Sequence, residues 1–256
     1  MERYIICGSQ SRRHLPPEEF IADSGWTYVE RRGRSIAKLQ LDYQAAGVVA
    51  WHEHGPVLYR DQSKFFFHPS MAKNRLAAKR RQGIADLMTR TCELQSGDVF
   101  LDCTAGLGAD AIVAAYYCEQ AVTALESEAA IALVVKWGMR YYQSSMSWLQ
   151  QAIDRVQLIH ADHRSYLPQL ADRSVDVVYF DPMFEHALVK SDAIAPLRAL
   201  ANHTGLESST IQEACRVARR SVVVKANAQG MVLQRLGFKE IVLNSNGRIG
   251  YGLIHL

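Results

Sequence analysis

The stretch LDCTAGLGAD, residues 101–110, marks the passage from a short apolar run into a turn that contains Gly106 and Gly108. Glycines in such a turn adopt positive φ angles and let the backbone approach a ligand closely. Gly106, Gly108 and Ala111 also fit the G-x-G-x-x-[GA] spacing of dinucleotide-binding turns. The stretch therefore predicts a strand, a ligand-binding turn and a helix in succession.

Further apolar runs follow this unit and alternate with segments of helical pattern. The runs are AVTALE (121–126), VQLIHAD (156–162), VDVVYFD (175–181) and SVVVKA (221–226), and the helical segments are 110–117, 129–142 and 209–219. Such alternation is typical of a parallel sheet that is covered on both faces. Two last runs, 239–245 and 248–256, flank Asn246 and Gly247, which predict a hairpin. The α/β pattern resembles the Rossmann-like, seven-stranded mixed sheet of class I methyltransferases.

The front of the chain has a different pattern and a different charge. Residues 1–70 predict a small basic α+β domain and 71–95 a basic helical linker with Gly83 as its weak point. Residues 96–256 predict a larger domain, for which the resemblance to class I methyltransferases implies S-adenosylmethionine binding and catalysis. Residues 1–90 hold 15 Lys or Arg against 9 Asp or Glu, whereas residues 91–256 hold 14 against 17. We expect the basic front to face a polyanion, and a solvated basic face is the alternative. The basic residues of the linker are Lys73, Arg75, Lys79, Arg80 and Arg81.

Composition excludes several other classes of protein. The chain has 256 residues, of which 48% are hydrophobic and 21% are charged, as in a folded globular protein. Its five cysteines form no C-x-x-C pair, and no ligand set completes a metal site around His52, His54 and His68, so we expect no metal. We expect a cytoplasmic protein, because neither a signal peptide nor a long apolar run is apparent.

Acidic residues end four of the predicted strands: Asp102, Glu126, Asp162 and Asp181. Open α/β folds bind ligands at the edge of the sheet where these carboxyl ends meet. The glycine turn and Glu126 alone fit NAD as well as S-adenosylmethionine. The resemblance to methyltransferases favours S-adenosylmethionine, because it implies that Asp102 approaches the methionine part of that cofactor, and Asp162 can accept a hydrogen bond from its adenine amine. A helix N-cap is the alternative for any one acid. Lys225, at the end of the fifth strand, is a candidate phosphate contact or a solvated lysine.

The stretch VVYFDPMFEH, residues 177–186, places Asp181 and Pro182 directly after a strand. An exocyclic amine on a nucleic-acid base is a poor nucleophile, because its lone pair is delocalised into the ring. The Asp181 carboxylate and the Pro182 carbonyl can each accept one N–H of such an amine and aim its nitrogen at a methyl donor. Phe184 can stack on the base, which must be unpaired or flipped out. An Asp-Pro turn followed by a core phenylalanine is the alternative.

The DPMF sequence resembles the [DN]-P-P-[YF] motif of amino-group methyltransferases. Together with TAGLGAD, LIHAD, WLQQ, ALVK and VVVK, it resembles the RsmJ family, S-adenosylmethionine-dependent enzymes that methylate guanine N2 in small-subunit ribosomal RNA. The resemblance covers about residues 99–226 and implies S-adenosylmethionine as cofactor and RNA as partner. Predicted cofactor contacts are Asp102, Ala105, Gly106 and Gly108, with Ala109, Asp110, Glu126, Ser127, Asp162, His163 and Asp181 implied by the resemblance.

The sequence departs from the family pattern at Ala109, Ser127 and Glu185, and its first 90 residues match poorly. Two other functions therefore stay open. One is a methyltransferase that acts on a small-molecule or protein amine. The other is a non-catalytic RNA-binding protein that retains the fold.

Overall fold

The computed structural model describes residues 2–9, 14–61, 63–182, 205–228 and 231–256. Its N-terminal part forms a five-stranded sheet in the order β2-β1-β3-β4-β5. The strands are β1 (Tyr4–Cys7), β2 (Thr27–Tyr28), β3 (Gly47–His52), β4 (Gly55–Arg60) and β5 (Ser63–Phe65), with helices α1 (Glu18–Ser24) and α2 (Ile36–Tyr43). β1 is parallel to β2 and β3, and the other pairs are antiparallel.

The basic segment forms two helices, α3 (Ser70–Gln82) and α4 (Leu87–Thr91). α3 ends at the predicted weak point, because Gly83 adopts a left-handed conformation with φ 72° and caps the helix. α4 starts where the Asp86 carboxylate accepts the backbone N–H of Thr89.

The rest of the described chain forms a seven-stranded sheet in the order β11-β12-β10-β9-β6-β7-β8. The strands are β6 (Phe100–Asp102), β7 (Val122–Glu126), β8 (Val156–His160), β9 (Val175–Phe180), β10 (Ala218–Asn227), β11 (Glu240–Leu243) and β12 (Ile249–His255). β12 runs antiparallel to β10 and β11, and β6 to β10 pair in parallel. The predicted class I mixed sheet with its C-terminal hairpin is confirmed.

Helices cover both faces of this sheet: α5 (Ala109–Cys118), α6 (Ala129–Tyr141), α7 (Ser147–Asp154), α8 (His163–Tyr166), α9 (Ser208–Val217) and α10 (Val232–Arg235). Val177 and Tyr179 of β9 pack into the core that contains α5 and α6, whereas Val178 and Phe180 pack into the core that contains α9. A run that is apolar at every position is needed because both faces are buried. In the described part of the chain, none of the helices has the length and apolar character needed to cross a membrane.

The five-stranded sheet packs against α6 through aromatic side chains. Phe20 lies 5.4 Å from Trp137 and Trp51 lies 4.8 Å from Tyr141, measured between ring centroids. The contact is close enough that a Cβ added at Gly138 of α6 would lie 2.2 Å from the Cβ of Phe67. The two sheets therefore share one hydrophobic core, and the front of the chain is fixed against the larger sheet.

Replacing Gly138 with alanine is expected to lower the free energy of unfolding by about 1–3 kcal/mol, because the new methyl group overlaps the base of the Phe67 side chain. The higher helix propensity of alanine, worth roughly 1 kcal/mol, offsets only part of the cost of this overlap. Urea unfolding measures the difference. Gly205→Ala is the control, because an added Cβ there meets nothing within 4 Å. Equal stability of the two variants would contradict the packing described.

Candidate active site

The turn between β6 and α5 depends on glycines for its backbone conformation. Gly106 and Gly108 have φ angles of 51° and 73°, which side-chain-bearing residues rarely adopt. The turn is anchored to β7 by a hydrogen bond from the Ala105 N–H to the Leu125 carbonyl, 2.8 Å long. A Cβ at Gly108 would also lie 2.2 Å from the Met139 side chain. Both observations explain why glycine occupies position 108.

Glu126 ends β7 and faces this turn. One carboxylate oxygen accepts the backbone N–H of Gly106 at 3.0 Å, and the other accepts the N–H of Glu128 at 2.8 Å. Burial raises the pKa of Glu126 although these two hydrogen bonds favour its charged form. The side chain therefore has a second task besides the predicted ribose contact, because it holds the glycine turn in place.

Asp102 ends β6 and is 1% exposed. Its Oδ1 accepts the Thr104 N–H at 3.0 Å, whereas its Oδ2 is buried and has no hydrogen-bond partner among the described residues. Burial, reinforced by the nearby Asp110 carboxylate, raises the pKa of Asp102 well above its ordinary value. An unpaired buried carboxylate oxygen is costly, and a cationic ligand group beside it would offset that cost.

Asp162 follows β8 and caps α8. Its carboxylate accepts the Arg164 backbone N–H at 2.8 Å and is also bound by the Arg164 guanidinium, which lowers the pKa of Asp162. The neighbouring His163 ring meets Phe180 edge-on at 5.5 Å, and burial lowers the His163 pKa, so the ring is neutral at neutral pH. The Ser127 carbonyl oxygen lies 3.2 Å from Nε2 of His160, an exposed residue of β8.

Asp181, directly after β9, is held on two sides. Its backbone N–H donates to the Thr104 hydroxyl at 2.6 Å, and its Oδ2 lies 2.5 Å from the Lys225 ammonium. The Asp181 side chain is 31% exposed, so it can be reached from solvent. Lys225, expected as a phosphate contact or a solvated lysine, instead forms an ion pair inside the site. Pro182 is half-buried beside it, and Phe184 lies outside the described residues.

Asp110, in the first turn of α5, lies at the centre of the charged groups. Its Oδ2 is 3.7 Å from Lys225 and accepts the Tyr179 hydroxyl at 3.2 Å, and its Oδ1 is 2.5 Å from the Arg75 guanidinium. Burial opposes ionisation of Asp110, but Lys225 and Arg75 outweigh it and lower its pKa. Arg75 also binds both Asp86 oxygens, at 2.8 and 2.9 Å. Arg75 therefore points into the protein, unlike the exposed Arg81 on the same helix.

The structure thus gathers the described predicted residues at the carboxyl ends of β6 to β9, with Lys225 of β10 beside them, whereas Phe184 lies outside the described residues. Sequence reasoning missed Thr104, Tyr179 and the inward role of Arg75. Thr104 lies inside the stretch LDCTAGLGAD, so it could have been predicted as a residue of this site from the sequence. Tyr179 and Arg75 carried no such signal, because their partners are distant in the chain.

Comparison with known proteins identifies the family. A family model described as "Putative SAM-dependent methyltransferase" matches residues 52–248. The chain belongs to this methyltransferase family. An uncharacterized protein of Bacillus subtilis, YpiP, is 36% identical over 229 residues, which cover 89% of this chain and 88% of YpiP.

Other relatives of the methyltransferase have names that state an activity. Ribosomal RNA small subunit methyltransferase J of Acinetobacter baumannii (strain AYE) is 38% identical over 108 residues, which cover 41% of this chain and 38% of that enzyme. The same-named enzyme of Thioalkalivibrio sulfidiphilus is 37% identical, and the match covers 50% of this chain and 51% of the enzyme. The match thus covers about half or less of the length of these two enzymes.

The fold also matches a solved structure. The SAM-dependent methyltransferase NGO1261 of Neisseria gonorrhoeae superposes with a TM-score of 0.66 at 18% identity, over 98% of this chain and 95% of that one. S-adenosylmethionine is the cofactor of the family, and the site fits it. The unpaired Asp102 oxygen suits a cationic group, and the positive φ angles of the turn leave its backbone open to close approach.

Asp102→Asn should raise the stability of the cofactor-free methyltransferase. Since folding raises the Asp102 pKa, wild-type stability falls as pH rises from the ordinary value of 3.8 through the folded pKa. A neutral amide removes that loss, so the gain should be larger at neutral than at mildly acidic pH. Thermal unfolding should also show a smaller stabilisation by S-adenosylmethionine.

The matched control is Asp98→Asn, because Asp98 is also buried but has both oxygens bound by Arg220, at 2.8 and 2.6 Å. We expect that variant to lose stability and to keep the full cofactor-induced gain. The account of Asp102 is wrong if its asparagine variant behaves in the same way.

Proposed function

We propose that the enzyme transfers a methyl group from S-adenosylmethionine to an exocyclic amine of ribosomal RNA, the N2 amine of a guanine. The observation that carries the proposal is Asp181-Pro182, held beside the glycine turn with the Asp181 side chain 31% exposed. The relatives named ribosomal RNA small subunit methyltransferase J support the choice of RNA.

We infer that the cofactor lies along the carboxyl ends of β6 to β9. Asp102 would face its methionine part, Glu126 its ribose and Asp162 its adenine amine. The three acids would give this edge a partly anionic character, which suits a sulfonium cation. The remaining proposed contacts are Ala105, Gly106, Gly108, Ala109, Asp110, Ser127, His163 and Asp181.

S-adenosylmethionine supplies an electrophilic methyl group. Asp181 would accept one N–H of the substrate amine and Pro182, through its carbonyl, the other, which orients the nitrogen lone pair towards that methyl. Methyl transfer to the amine would release S-adenosylhomocysteine and leave a positive charge on the nitrogen. The Asp181 carboxylate stabilises that charge and accepts the proton that the nitrogen then releases. Phe184 would stack on the base.

RNA would be bound by the basic front of the chain. Lys73, Lys79, Arg80 and Arg81 all lie on α3, and Arg80 and Arg81 are exposed. Arg80 also lies over the Trp148 ring at 5.4 Å. Arg75 of the same helix is bound by two carboxylates, so we infer that it positions α3 and that its neighbours contact phosphates.

The direct test uses tritiated S-adenosylmethionine with ribosomal subunits and RNA from cells that lack the gene. Label is counted in RNA, protein and small molecules, and the RNA is digested to nucleosides. Label in N2-methylguanosine supports the proposal. Label in protein or small molecules supports the amine alternative, and absence of cofactor binding supports a non-catalytic RNA-binding protein.

Asp181→Ala should lower kcat by about 10²–10³-fold, because it removes a group that stabilises charge in the transition state, and should change the Kd for S-adenosylmethionine far less. Asp176→Ala on the same strand is the control, because its carboxylate binds Arg219 at 2.8 Å away from the site. Equal losses of turnover and cofactor affinity in the Asp181 variant would contradict its proposed role.

Arg81→Ala should weaken RNA binding and reduce the slope of log K against log salt by about 1, as expected for one lost phosphate contact. Lys239→Ala, an exposed lysine beside β11, should leave the slope unchanged. Arg75→Ala should mainly lower stability, because it leaves Asp86 and Asp110 unpaired. Titrations of RNA at several salt concentrations measure the slopes, and an unchanged Arg81 slope would exclude this contact.

A further inference from the structure

One lysine at the site has no role in the chemistry derived so far. Lys225 lies on β10, beside strand β9, which Asp181 directly follows. Its side chain is only 20% exposed, which is unusual for a lysine, and its ammonium lies between two carboxylates. The distances are 2.5 Å to Asp181 Oδ2 and 3.7 Å to Asp110 Oδ2.

We propose that Lys225 is a positioning residue of the methyl-transfer reaction, which binds Oδ2 of Asp181 and thereby directs the other carboxylate oxygen to the substrate amine. The inference rests on the proposed function, because Asp181 needs this orientation only if it binds an amine. Lys225 touches neither the amine nor the methyl group. It acts through the Asp181 carboxylate.

The lysine is itself fixed by its second partner. Asp110 is bound on its far side by Arg75 and by the Tyr179 hydroxyl, so it is held as a carboxylate at a fixed position. Although burial disfavours the ammonium, Asp110 and Asp181 raise the pKa of Lys225, so it stays charged at neutral pH. A permanent cation with a fixed anchor gives Asp181 one orientation.

The ionisation of Asp181 depends on the same contact. Burial raises the pKa of Asp181, and Lys225 opposes that rise. Activity requires the carboxylate, so it is present above the Asp181 pKa and lost as pH falls through it. Removing Lys225 should therefore move the acid limb of the pH profile of kcat to higher pH.

The described charged or titratable groups around Asp181 are Lys225 (β10), Asp110 (α5), Asp102 (β6), Tyr179 (β9) and Tyr251 (β12), with Arg75 (α3) behind Asp110.

The test compares Lys225→Met and Lys225→Arg with the wild type. We expect the methionine variant to lose about tenfold to 10²-fold in kcat, to keep its Kd for S-adenosylmethionine, and to shift its acid limb upward by about 1–3 pH units. The arginine variant keeps the charge and should keep the acid limb close to that of the wild type. Lys225→Gln replaces the methionine variant if the latter fails to fold.

Arg220→Met is the matched control, because Arg220 lies on the same strand and forms a similar ion pair with Asp98 at 2.6 Å. It should lower stability without moving the acid limb. The inference is overturned if the acid limb of the kcat profile stays in place in Lys225→Met as it does in Arg220→Met. It is also overturned if Lys225→Met loses affinity for S-adenosylmethionine to the same extent as it loses kcat.

A second readout needs no substrate and so separates this inference from the proposed function. Carbon NMR of 13C-aspartate-labelled protein reports the titration of the Asp181 carboxyl, assigned by its absence in Asp181→Asn. We expect the titration to move upward in Lys225→Met. An unchanged titration overturns the inference, whatever the tritium experiment shows for RNA.

Discussion

The structure depends on the compensation of carboxylates that are crowded at one edge of a parallel sheet. Asp102, Asp110 and Asp181 lie close enough to raise one another's cost of ionisation, and burial adds to that cost. Two cations offset it. Lys225 comes from the strand beside Asp181, and Arg75 comes from the basic helix at the front of the chain. The front of the protein is thereby connected to the site by an ion pair as well as by the aromatic contact with α6.

Compensation is incomplete at Asp102, and the exception is informative. Its second oxygen is buried without a partner among the described residues, next to the open glycine turn. A protein selected only for stability would replace this carboxylate with a neutral group. The acid instead suits a family whose cofactor is a cation, because a cation beside it would favour its charged form. Glu126 holds the same turn in place, because its carboxylate accepts the backbone N–H of Gly106.

Much of this architecture could be predicted from the sequence, because it depends on local patterns. The strands of the large sheet are continuous apolar runs, and Asn246-Gly247 marks the final hairpin. The sequence carries little signal for the first strand, β1, which is only four residues long and follows a charged start. The ion pairs could not be predicted at all. Lys225 and Asp181 are 44 residues apart, and Arg75 and Asp110 are 35 apart. Only the folded sheet brings these partners together. Arg75 of the basic helix α3 is therefore directed inward, which the sequence did not indicate.

The central claim is that Asp181 presents an amine of ribosomal RNA to a methyl donor bound at this edge. It is tested most directly in cells whose chromosomal gene encodes Asp181→Ala, by nucleoside mass spectrometry of their ribosomal RNA. The account predicts that the N2-methylguanosine content of the ribosomal RNA falls, while the variant protein stays folded and abundant. Ribosomal RNA methylated in full, as in the parent cells, would contradict it.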